Sequence, residues 1–182
     1  MTRIAACLII GALLTGCVTV PDGITPVRPF DAERYLGTWY EIARQDHSFE
    51  RGLSHVTATY GRREDGGISV RNEGFDTRKD RWDAAEGKAY FVEDAQTGYL
   101  KVSFFGPFYG AYIVFDLDPD YRWSLITGPN RDYLWILART PEIDDDLKAR
   151  MLTRIRAAGF DPDDLVFVEQ GNPPPGRGSA PG

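Results

Sequence analysis

A chain of 182 residues, 42% hydrophobic and 13% aromatic, can bury one sizeable core but would divide poorly into two. Its formal net charge of -6 opposes a nucleic-acid footprint, which calls for a basic face. Both cysteines, Cys7 and Cys17, precede residue 18, so the body of the chain has no thiol for a disulfide, a nucleophile or a sulfur-bound metal.

In chain order, Arg3 and the apolar run Ile4 to Leu14 form a basic and a hydrophobic region far too short to span a bilayer, as in a signal peptide covering residues 1–16. Leu14-Thr15-Gly16-Cys17 resembles the bacterial lipobox, which would make Cys17 the lipidated first residue of the mature chain. Several acyl chains on one residue anchor durably where one is marginal. Val18 in second place, not Asp, resembles the pattern sorted to the outer membrane, and the expected site is its periplasmic face. Residues 17–29 carry three prolines and no usable period, and read as an extended tether. Residues 171–182 have the composition of a disordered tail.

The domain between them, 30–170, opens on a turn-like stretch and a Gly-x-Trp at Gly37 to Trp39. Eight short β-like runs then follow at hairpin spacing: 39–44, 54–62, 68–75, 84–92, 99–105, 111–117, 123–127 and 133–139. Asp65-Gly66-Gly67, Thr97-Gly98, Gly106-Pro107 and Gly128-Pro129-Asn130 supply turn chemistry. No βαβ crossover fits, so the strands should pair antiparallel in sequence. Eight such strands lose their edges by closing into an up-and-down barrel with room for one small ligand; a sandwich is the alternative. The loop from Gln45 to Leu53 is long for a meander and is the expected functional loop. Thr140-Pro141-Glu142 reads as a helix start, and Ile143, Leu147, Met151, Leu152 and Ile155 as the stripe by which one helix packs outside the barrel. The run 165–169 could add a strand nearby.

Tyr35 to Arg44, with Gly37 and Trp39, matches the first signature of the lipocalins; Gly128 to Tyr133, with Asp132 and Tyr133, occupies the second, and Arg139 the third. The domain therefore resembles a lipocalin, of the branch that holds bacterial outer-membrane lipoproteins and apolipoprotein D. The resemblance implies that Arg139 packs over Trp39 to seal one end of the barrel, a cation-π role. Many animal members carry disulfides; this chain departs from them in having none in its body.

On that fold, strand alternation from Trp39 sends Glu41 and Ala43 inward, with Val56, Ala58 and Tyr60 on the second strand, Leu100, Val102 and Phe104 on the fifth, and Tyr133, Trp135 and Leu137 on the last. Asn72 joins Glu41 as a polar point, while the sixth strand is apolar on both faces and cannot be oriented. Such a calyx fits one acyl chain with its polar head near the mouth, the expected ligand being a fatty acid, a lysophospholipid or a similar amphiphile, stored or carried without a cofactor. His47 in the long loop and His55 on an outward position read as surface residues, and no nucleophile elbow, paired-histidine metal spacing or phosphate loop occurs. A ligand-free structural lipoprotein and a lipocalin-fold enzyme are the alternatives, and a homodimer is left open.

Overall fold

The computed structural model describes residues 18–176; Cys17 and the signal peptide lie outside them. The Asp31 carboxylate accepts from the amides of Glu33 and Arg34, capping a short helix, α1 (Ala32–Tyr35), in the stretch read as a turn. Gly37 then takes φ +90°, a backbone state that strains any side chain, and the chain enters β1 (Gly37–Gln45) directly. There follow β2 (Leu53–Arg62), β3 (Ile68–Asp76), β4 (Arg81–Phe91), β5 (Tyr99–Ser103), β6 (Gly110–Leu117), β7 (Trp123–Thr127) and β8 (Leu134–Ala138). Each pairs antiparallel with the next, and β1 pairs with both β2 and β8, so the sheet closes into the eight-stranded barrel that the turn spacing predicts.

The C-terminal helix, α2 (Asp145–Ala157), starts four residues later than Pro141-Glu142 suggests. The Thr140 hydroxyl instead donates to the Glu142 carbonyl at 2.7 Å, which turns the chain in a loop, and Asp144 is the cap, accepting from the Leu147 amide at 2.7 Å. The apolar stripe lies where expected: Met151 and Ile155 are fully buried against Ile42, Ala43, Trp123, Leu125 and Ile136 on the barrel's outer face. A second cluster, centred on Trp39, Val70, Leu100, Val114, Ile126 and Leu137, fills the interior. Because β7 and β8 serve both clusters, nearly every residue in them is buried. The same division orients the sixth strand: Ala111 and Ile113 join the outer cluster, and Tyr112 and Val114 the inner one.

Two bulges overturn details of the expected alternation. The β1–β8 register slips between Glu41 and Ala43, so Ala43 belongs to the outer cluster and not the calyx, and Arg44 turns inward in its place. The β2–β3 register slips between Ser54 and Thr57, with His55 at φ 51°. His55 is consequently buried rather than a surface residue: its ring nitrogen Nδ1 lies 2.9 Å from Ser54 Oγ, and its amide donates to the Glu169 carbonyl.

After α2, a 3₁₀ turn (Pro162–Asp164) leads into β9 (Leu165–Phe167), which pairs with the upper half of β1 where β2 has diverged from it. The Gln170 side-chain amide then bridges the carbonyls of Glu41 and Val56, each at 2.8 Å, and joins the two strands across the gap. Residues 18–29 are held along the barrel wall instead of hanging free: Val27 exchanges backbone bonds with Val114 and Gly98, Ile24 is buried, and the Thr19 hydroxyl donates to the Pro129 carbonyl.

Candidate ligand-binding site

The barrel's sealed end is built on Trp39, fully buried, whose Nε1 donates to the Tyr35 carbonyl at 2.8 Å. The Arg139 guanidinium lies 3.9 Å from the centroid of its ring and donates to the carbonyls of Arg34, Leu36 and Thr38 at 2.7–2.9 Å. One cation thus covers the indole and ties α1 and the start of β1 to the end of β8. A Cβ on Gly37 would lie 3.5 Å from this guanidinium, so the glycine is required by its φ rather than by space.

Above this floor the Tyr112 hydroxyl meets those of Tyr35 at 2.7 Å and Tyr60 at 2.8 Å, and Tyr35 also reaches Ser124 Oγ at 3.1 Å. Burial pushes the Tyr35 phenol up to about 12, and raises Tyr60 and Tyr112 well above the ordinary phenol value. All three stay neutral, forming a hydroxyl cluster at the bottom of an otherwise apolar space. Tyr112 and Ser124 lie in strands whose sequence gives no alternation to read, so neither was expected at the site.

That space is a cavity of about 910 Å³. Its wall includes Val56, Ala58 and Tyr60 from β2, Asn72 from β3, Leu100, Val102 and Phe104 at β5, and Tyr133, Trp135 and Leu137 at β8, with Glu41 from β1. Every calyx candidate except Ala43 therefore borders it. Asn72 Oδ1 is buried without a hydrogen-bond partner among the described residues, which leaves it available to a guest. Asp132 stands apart: exposed in the β7–β8 loop, it gives its amide to Asn130 Oδ1. A hollow of about 450 Å³ between α2 and the sealed end shares no lining residue with the calyx and is walled largely by charged side chains.

The polar upper wall comes from the end of β1 together with the long 46–52 loop. Arg44, turned inward by the bulge, makes a buried pair with Glu41 at 2.5 Å and donates to the carbonyls of Glu50 and Leu53 at 2.8 and 3.2 Å. The Glu50 carboxyl in turn accepts from Trp135 Nε1 at 3.1 Å, and His47 stacks on Tyr133 with ring centroids 4.4 Å apart. Two carboxyls and one guanidinium thus share one enclosure. Burial raises both acids; for Glu41 the Arg44 charge offsets part of this, while Glu50, with Glu41 close by, is pushed up to about 8. Unfolded, Glu50 would ionise near 4.5, so between about 4.5 and about 8 the folded chain holds a proton that the unfolded chain releases. This contribution is fully present below that window and is lost as the pH rises through it. Glu50→Gln is expected to flatten the fall in melting temperature across those values; an unchanged slope would assign the titration to another group.

Residues 30–170 match the lipocalin-like domain family, by a model that covers the whole barrel and its helix. The chain belongs to the lipocalins. It is 58% identical over 152 residues to outer membrane lipoprotein Blc of Citrobacter freundii, spanning 84% of this chain and 86% of that protein. With outer membrane lipoprotein Blc of Vibrio cholerae the identity is 51% over 164 residues, 90% and 96% of the two chains. Insecticyanin of the tobacco hornworm Manduca sexta shares the fold, with a TM-score of 0.65 at 17% identity over 83% of this lipocalin and 86% of its own chain. With relatives this similar, the lipocalin is a protein of the bacterial outer membrane.

Proposed function

We propose that this lipocalin binds one amphiphile, a fatty acid or a lysophospholipid, and stores or carries it at the periplasmic face of the outer membrane, held there by acyl chains on Cys17. The observation that carries the reading is the cavity itself. Its 910 Å³ lies within the range of about 300–1,000 Å³ usual for small-molecule pockets, and its apolar middle is bounded by a polar upper wall. An acyl chain matches the middle; the Glu41–Arg44–Glu50 enclosure and Asn72 offer partners to a head group. A carrier role is preferred to catalysis because neither His47 nor His55 lines the cavity and the calyx tyrosines stay neutral.

The test uses the chain with Trp82 and Trp123 replaced by Phe, leaving Trp39 in the floor and Trp135 in the wall. Titration with a long-chain fatty acid or lysophospholipid should give a saturable change in emission that disappears in Trp135→Phe. Charging the wall, as in Val56→Asp, should weaken binding, since an unpaired charge would be buried against the acyl chain. Mass spectrometry of the natively purified protein should find co-purifying lipid and an acylated Cys17. No uptake of any such lipid would favour the ligand-free structural lipoprotein instead.

A further inference from the structure

The loops at the open end carry three large apolar side chains with no cover: Phe105 is 82% exposed, Phe108 78% and Phe49 63%. They come from two different loops, β1–β2 and β5–β6, yet all three border the mouth of the one cavity. Uncovered rings gathered at one place mark a contact surface more often than scattered single ones do. The segment that follows Cys17 is held at the same end. Thr19, two residues beyond Cys17, bonds the carbonyl of Pro129, which itself borders the mouth, and Arg131 of the same loop donates to the Asp22 carbonyl. Thr19 is two residues from Cys17 in sequence, so acyl chains on Cys17 would be tethered to the end of the barrel that carries the phenylalanines.

We propose that the calyx sits mouth-down on the membrane, with Phe49, Phe105 and Phe108 inserted at the boundary between head groups and acyl chains, so that a lipid passes between bilayer and cavity without crossing water. Amphipathic surfaces of this kind enter that boundary to a depth of about 5–10 Å. The contact is apolar more than electrostatic, because three cations near the mouth already have carboxylate partners, Arg51 with Asp46 and Arg78 and Lys79 with Asp76, while Lys101 lies over the Tyr109 ring. Docking should then need no anionic lipid and should survive salt. The inference rests on the calyx being the lipid site, but its test is separate.

The full anchored chain is reconstituted in phosphatidylcholine vesicles with a single added thiol at Gly106→Cys, where a new Cβ meets no atom within 4 Å, labelled with an environment-sensitive fluorophore. The comparison label sits at Glu64→Cys, in the exposed turn at the sealed end. Nitroxide groups on the lipid acyl chains are expected to quench the label at 106 and leave the one at 64 bright, in low and high salt alike. Adding Phe105→Ser and Phe108→Ser should weaken the quenching association on the order of tenfold or more. Equal quenching at both sites, or none at 106, overturns the proposal, as does its loss in salt. A label at 106 already shielded without vesicles and unquenched with them would overturn it in favour of a second copy covering the ring. Uptake of lipid from solution by the parent chain reports on the calyx reading alone, so the two can fail independently.

Discussion

Trp39→Ala is expected to lower stability by roughly 3–5 kcal/mol, the range for removing a large buried ring from a packed core. The indole has no exposed surface, and its loss would leave a hollow bounded by Tyr35, whose ring centroid is 4.7 Å away, and by the Arg139 guanidinium. Arg139 cannot move in to fill it, since it is tied to three backbone carbonyls around the floor. The freed Tyr35 carbonyl also loses its donor. Chemical denaturation read by circular dichroism measures the difference; a loss below about 1 kcal/mol, the typical effect of a point substitution, would mean that the floor relaxes around the gap.

Arg44→Ala should be comparably severe, about 3–5 kcal/mol at neutral pH, because it strands a buried carboxylate at Glu41 and removes the donor to two loop carbonyls. Only 3% and 5% of the two side chains are exposed, so water cannot stand in for the missing partner. The loss has a sign with pH. Burial already raises Glu41, and without Arg44 nothing offsets it, so acid neutralises the stranded group and the deficit against the parent chain shrinks as the pH falls. Denaturant titrations of both chains at acid and neutral pH would show this; a deficit that grows in acid would contradict it. Because the 46–52 loop hangs on the same guanidinium, the variant should also loosen the enclosure that Glu50 and Trp135 form.

The barrel was legible because each strand is short, bounded by turn residues and, on most strands, alternating. The expected strand limits differ from the observed ones by no more than three residues at any end. The floor was legible for a different reason: Gly37, Trp39 and Arg139 are a signature whose geometry the resemblance supplied, and the 3.9 Å contact agrees with it. What stayed hidden was whatever depends on a break in period. A bulge adds one residue to one strand, which alternation cannot register, and so Ala43 and Arg44 exchanged faces unseen. Glu50 and Phe49 sit in a loop where no period exists; the loop's length was the only signal, and it names no residue. Tyr112 could not be placed because its strand is apolar on both sides, a consequence of burying one face in the calyx and the other under α2.

The closure of the barrel also bears on the order in which the chain can fold. β1 has no complete partner among its neighbours in sequence: only its first half pairs with β2, while its second half waits for β8 and its last residues for β9, about 90–125 residues downstream. Contacts this distant in sequence make folding slow, on the scale of milliseconds to seconds for all-β chains. A chain exported from its N-terminus would hold β2 to β7 as an open, twisted sheet, with the outer edges of β2 and β7 and the apolar inner face uncovered, until the final segment arrived. During that interval the nascent protein is a client that has to be kept from pairing with its neighbours. Gln170, which bridges β1 and β2 near the end of the matched domain, sets the last of these cross-links in place.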